Sequence, residues 1–126
     1  MRSENELSAI IVDSCIKVHR TLGPGLLESV YEEVLAYELQ NRGLCVERQM
    51  NIPVVYDSVR MDIGFRVDMV IENSVILELK SVELVQPVHK KQLLTYLKLT
   101  NMKLGLLLNF NVNLMREGIS RIVNRL

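Results

Sequence analysis

Apolar positions near the start of the chain follow a helical period. Leu7, Ile10, Ile11, Cys15, Val18 and Leu22 recur at helical spacing, which gathers them on one face. Ser3 and Glu6 stand just before this series in the Ser-x-x-Glu pattern of a capping box. Gly23, Pro24 and Gly25 end it. A second helix begins at once, with Leu27, Val30, Tyr31 and Val34 as its expected apolar stripe and Gly43 as its stop. Two helices joined by so short a turn are expected to pack as a hairpin or a bent pair.

After Gly43 the pattern changes to strands. Val46 to Tyr56 is rich in β-branched residues, and Pro53 marks a break or an edge position. Phe65 to Ile71 and Val75 to Lys80 read as two further strands, separated by Glu72, Asn73 and Ser74. Pro87 suits the first turn of a third helix, running to about Asn101. Leu104 to Phe110 is nearly all apolar, as expected of a strand covered on both faces. Ile119 to Leu126 fits a strand or a short helix equally well. Two helices, a three-stranded run, a helix and a strand make an α/β fold, with a helical crossover in a mixed sheet.

A chain of 126 residues fits one domain over 1–126, with no room for a second full core. Apolar residues run almost end to end, which argues against a long disordered tail. The formal net charge is zero. Strong non-specific polyanion binders usually carry a basic excess, so any nucleic-acid contact must rest on local patches, a partner or a second subunit. Cys15 and Cys45 stand in no metal-ligand spacing and are expected to be buried free thiols. Asp13 and Lys17 interrupt the N-terminal apolar residues, unlike a signal peptide. No apolar run approaches the ~20 residues of a membrane span, and the expected location is cytoplasmic.

The candidate chemistry lies on the second and third strands. Alternation puts Glu78 and Lys80 on one face and leaves Val75, Leu77 and Leu79 as a greasy face for a helix. A three-residue loop at 72–74 pairs Ile71 with Val75 and sets Asp68 across from Glu78. A two-residue loop sets Asp68 opposite Leu77 instead, so one residue of slip separates a site from no site. In the first register two carboxylates and an ammonium converge. Such an oxygen pair suits a hard cation such as Mg²⁺, with Lys80 placed to help a water or a phosphate.

For Asp68 and Glu78-Leu79-Lys80 alone, a solvated salt-bridge ladder is the commoner explanation. The apolar surroundings (Val67, Met69, Val70, Ile71, Ile76 and Leu77) make these strands core-like, where charges need pairing or a metal. Glu28 flanks the second helix's stripe, in reach of a sheet-edge site, though it also reads as a solvated helix residue. Gln92 and Tyr96 share a face of the third helix with His89. His19 has no obvious partner and reads as structural or surface. Lys90, Lys91 and Lys98 fit a solvated helix face as well as phosphate contacts.

Gly25-Leu-Leu-Glu28-Ser-Val-Tyr31 resembles the signature of the GxxExxY proteins, a group within the PD-(D/E)XK nuclease superfamily. The resemblance runs from about Val18 through Phe110. Phe65-Arg-Val-Asp68, Leu77-Glu-Leu-Lys80 and Gln92-Leu-Leu-Thr-Tyr96 follow in the superfamily's order, the last resembling the Gln-x-x-x-Tyr helix of RecB-type nucleases. Val67 stands where the superfamily's name has proline, a residue that supplies backbone shape and no ligand. The resemblance implies a restriction-endonuclease-like mixed sheet flanked by helices. It implies Mg²⁺ or Mn²⁺ at Asp68 and Glu78, Lys80 as catalytic lysine, and Glu28 assisting the metal directly or through water. Gln92 and Tyr96 would line the substrate side.

The expected function is hydrolysis of phosphodiester bonds in DNA or RNA by a metal-activated water. The alternative is a non-catalytic module of the same fold that binds a protein or nucleic-acid partner. A third reading is an enzyme for another phosphate-bearing substrate. A homodimer would widen a small binding surface.

Overall fold

In the computed structural model, which describes residues 1–126, helix α1 (Glu4–Leu22) starts at a formed capping box. The Ser3 hydroxyl accepts the Glu6 amide at 3.2 Å, and the Glu6 carboxylate accepts the Ser3 amide at 3.3 Å. Helix α2 (Glu28–Asn41) packs antiparallel to it. Ion pairs Lys17–Glu38 at 3.0 Å and Asp13–Arg42 at 2.7 Å cross between the two.

Strands β1 (Val46–Tyr56), β2 (Val59–Ile71) and β3 (Val75–Lys80) follow, then α3 (Pro87–Thr100), β4 (Leu104–Asn109) and β5 (Ile119–Val123). The sheet order is β1-β2-β3-β4-β5. Only β3 and β4 run parallel, and α3 is their crossover. The result is a restriction-endonuclease-like α/β fold: a mixed sheet flanked by three helices. No helix is long and apolar enough to cross a membrane.

Both faces of the central strands are covered. Tyr31, Leu35 and Leu39 of α2, with Leu7 and Ile11 of α1, pack on Val75, Leu77, Leu79, Leu104, Leu106 and Leu108. On the other face Leu93, Tyr96 and Leu97 of α3 pack on Val70, Ile76 and Leu107. That double burial is why β4 reads as an unbroken apolar run.

Several expectations are corrected. Leu27 is the N-cap of α2 and lies exposed, as does Val30; the buried face is Tyr31, Glu32, Leu35, Ala36 and Leu39. The helix is rotated by about one residue from its expected stripe, which brings glutamates to the sheet side. Strand β2 starts at Val59, well before Phe65. Asp57 and Ser58, both at positive φ (51° and 64°), make a two-residue turn that pairs Tyr56 with Val59. The added segment is mostly exposed, so no burial alternation announced it.

Pro53 does lie on an edge strand, beside a register shift. The undecided last segment is a strand on β4. Cys15 is buried, but Cys45 is exposed in the link before β1. Burial pushes the Cys15 thiol pKa upward. His19 is buried with its Nε2 at 2.8 Å from the Val112 carbonyl oxygen, a structural partner.

Candidate active site

The turn between β2 and β3 sets the site's register. Glu72 and Asn73 adopt positive φ, and the Ser74 amide donates to the Ile71 carbonyl at 2.9 Å. Ile71 then pairs with Val75, Val70 with Ile76 and Met69 with Leu77. The backbone ladder stops there. At the next position, where Asp68 faces Glu78, side chains take its place. The Asp68 amide donates to Glu78 Oε2 at 3.0 Å, and the Leu79 amide donates to Asp68 Oδ2 at 2.8 Å. Each carboxylate is thus fixed by a backbone N–H of the opposite strand, and the two meet in the slot where the strands part.

This convergence does not come from unbroken alternation along β2. Met69 and Ile71 pack on the α1–α2 side, whereas Val67 packs on the α3 side. The break falls at Asp68 and at Gln49 opposite it, whose φ is 51°. Asp68 consequently lines a cleft of about 330 Å³ with Glu28, Ser29, Glu32, Gln49 and Leu79.

Glu78 is only 8% exposed. Burial, then the adjacent Asp68 carboxylate, push its pKa up to about 8, with Lys80 acting in the opposite direction. The Tyr96 hydroxyl pKa is also raised, first by burial and then by Glu78 and Asp68. A buried carboxylate in contact with a half-buried one favours a shared proton or a cation. One oxygen of each is committed to a backbone amide, which leaves the other for a ligand. An all-oxygen pair of this kind fits a hard divalent cation that retains waters. No three His, Cys, Asp or Glu side chains converge as a metal centre, so the fit rests on two carboxylates.

The sign of the Glu78 shift gives a pH dependence. A carboxyl whose folded pKa lies above its ordinary 4.5 adds stability that is full below that value. The contribution is lost as pH rises through about 8. Without divalent cations, the melting temperature is therefore expected to fall between about pH 5 and about pH 9. In Glu78→Gln this component of the slope is expected to vanish. Circular dichroism melts of both proteins in chelator check it, and equal slopes would refute it.

The other expected residues are placed as follows. Lys80 ends β3 half-buried, paired across the sheet with Asn109. Glu28 opens α2, and its Oε2 accepts the Ser81 amide at 3.1 Å, just past Lys80. Tyr96 is buried under the sheet, stacked on Phe65 with ring centroids 4.2 Å apart. Gln92 remains exposed on α3. His89 Nδ1 accepts the Gln86 amide at 3.1 Å, capping α3. Lys90, Lys91 and Lys98 are exposed.

Gly25, Glu28 and Tyr31 have separate local roles. Gly25 takes a φ of 96° in the turn before α2. The Tyr31 hydroxyl donates to the Gly23 carbonyl at 2.6 Å and accepts the Leu26 amide at 3.1 Å. Its ring stacks on Phe110 at 4.5 Å. This ties the turn, and hence Glu28, to the end of β4.

Three residues were missed in the sequence. Asn109 is buried and grips Val82 at both backbone groups, accepting its amide at 3.1 Å and donating to its carbonyl at 2.9 Å. Its signal was a lone polar side chain in the Leu104–Phe110 run. Glu32 is buried on α2, where its Oε2 accepts from Arg48 Nη2 at 2.9 Å and its Oε1 from Gln49 Nε2 at 2.6 Å. Gln49 carried no signal beyond its position opposite Asp68.

A family model described as the PD-(D/E)XK nuclease superfamily matches residues 5–122. No curated protein and no solved structure matches the chain significantly.

Proposed function

The chain belongs to the PD-(D/E)XK nuclease superfamily, and from that premise we propose that it hydrolyses phosphodiester bonds in DNA or RNA using Mg²⁺ or Mn²⁺ at Asp68 and Glu78. Nucleases of this superfamily generally use divalent metals. The observation that carries the reading is the contact of buried Glu78 with half-buried Asp68, the two fixed by amides of opposite strands and adjoining Lys80. A bound divalent cation supplies Lewis acidity and a more acidic water.

The chain's own residues bind and orient. Asp68 and Glu78 each offer one oxygen that no backbone amide holds, and the Leu79 and Asp68 amides hold the others. Lys80 places its ammonium against a water or a phosphate oxygen where negative charge develops. Glu28 stands at the rim, its Oε2 accepting the Ser81 amide, and would support the cation through water. Tyr96 and Gln92 form the α3 side of the substrate path. Gly25, Glu28 and Tyr31, with their separate roles in the turn, favour the GxxExxY subgroup.

One observation favours a second reading. The neutral net charge offers little attraction for polyanions, which suits a non-catalytic module bound to a protein or nucleic-acid partner. Calorimetric titration with Mg²⁺ and Mn²⁺ and cleavage assays on labelled single-stranded, duplex and branched DNA and RNA separate the two. The nuclease reading expects cation binding and cleavage of at least one substrate. Nucleic-acid or protein binding without cleavage under either metal would give the module reading its place.

A further inference from the structure

We infer that Gln49 is a positioning residue for Asp68, itself anchored by buried Glu32 and its ion-pair partner Arg48; this rests on the reading of Asp68 as a cation ligand. The backbone supplies the first observation. Gln49 has a φ of 51°, yet it lies inside β1, between the paired positions Arg48↔Met69 and Met50↔Val67. Asp57 and Ser58 take positive φ because they form a hairpin turn; Gln49 forms none. A non-glycine residue so placed is costly and persists only where its surroundings enforce it.

The second observation is what that conformation achieves. A regular strand sends successive side chains to opposite faces. Here Arg48 and Gln49 both reach Glu32 on α2. Arg48 Nε and Nη2 donate to Glu32 Oε2 at 3.1 and 2.9 Å, and Gln49 Nε2 donates to Oε1 at 2.6 Å. Both Glu32 oxygens are therefore occupied, one by Gln49 and one by Arg48, which also donates to Glu33 Oε2 at 2.7 Å. Glu32 is an anchor, unlike Glu28, and no spare cation ligand.

The third observation is the reach to Asp68. Gln49 Nε2 lies 3.5 Å from Asp68 Oδ1, while the Leu79 amide holds Oδ2. Asp68 is thus addressed at both oxygens, firmly on one and loosely on the other. The loose contact limits rotation of the carboxylate and leaves Oδ1 lone pairs for a ligand. Gln49 is itself solvent-exposed at the cleft mouth, so its amide acts through orientation and excludes no water.

Gln49→Met keeps the side chain's length and removes the donor. Gln49→Gly also removes it and relieves the positive φ, which protects folding if the first variant fails. Calorimetry with Mn²⁺ on wild type and both variants is the test, with melting temperatures in chelator and the Leu79 amide followed in ¹⁵N spectra. The expected result is a dissociation constant raised roughly tenfold, the lower end for partners that orient metal ligands. The Leu79 amide resonance is expected to move, and at least one variant to melt close to wild type. A folded variant whose affinity stays within about twofold of wild type overturns the role of Gln49 while leaving the nuclease reading intact. A wild type that binds neither Mn²⁺ nor Mg²⁺ overturns both.

Discussion

Asp68→Asn is expected to abolish cation binding and cleavage together, with a loss in rate on the order of a hundredfold or more. Asparagine keeps the shape of the side chain, and its carbonyl oxygen can still accept the Leu79 amide that Asp68 Oδ2 accepts at 2.8 Å. The fold is therefore retained. The charge is lost, and a neutral amide is a poorer ligand than a carboxylate for a hard cation. The stability effect has the opposite sign. The Asp68 charge is one of the causes that raise the Glu78 pKa, so its removal eases Glu78 ionisation. Without divalent cations the variant is expected to melt at or above wild type at alkaline pH. Cation addition, which stabilises wild type by mass action, is expected to leave the variant unchanged. Calorimetry, cation-dependent melts and cleavage assays read all of this. A variant that still binds Mn²⁺ and cleaves at near wild-type rate would exclude Asp68 as a ligand.

The legible part of this site was its register. Glu72, Asn73 and Ser74 are short and polar enough to fix the turn, and counting back from it sets Asp68 across from Glu78, one step beyond the last ladder pair of Met69 with Leu77. The β3 pattern was legible for a similar reason, because Val75, Leu77 and Leu79 bury one face against helices. The outer arm of the β1–β2 hairpin was illegible, since Val59 to Gly64 packs on little and leaves no periodic trace.

The inward face of α2 misled because Leu27 and Val30 look like core and stand exposed at the start of the helix. Taking them as the stripe hid Glu32, whose burial is made tolerable by Arg48 and Gln49 from another element. That compensation is tertiary and leaves no local pattern. Gln49 was hidden more deeply. Alternation assumes regular backbone, and the residue that breaks it here is neither glycine nor asparagine. Glu28 and Gln92 entered the candidate set through their places on the second and third helices, and family resemblance added their roles. The structure carries Glu28 to the amide after Lys80 and leaves Gln92 at the surface of α3.

Lys80→Ala is expected to separate binding from catalysis. The backbone of Lys80 is secured without its side chain, since the Phe110 amide donates to its carbonyl at 2.9 Å. Glu28 holds the next amide, and Asn109 holds Val82 beyond it. Truncating a half-buried side chain at a strand end opens no large core cavity, so the variant is expected to fold. Both carboxylates and their amide donors remain, and cation binding is expected to persist. Losing one positioned ammonium beside a developing negative charge is expected to cost on the order of a hundredfold or more in cleavage rate. Arginine restores the charge but as a wide planar fork, so Lys80→Arg is expected to recover little. Cleavage of labelled DNA and RNA, calorimetry with Mn²⁺ and circular dichroism on the same preparations give the three readouts. If Lys80→Ala loses cation binding in step with cleavage, the lysine acts through the carboxylates. If it cleaves as fast as wild type, the hydrolysis arises elsewhere or from a contaminating enzyme.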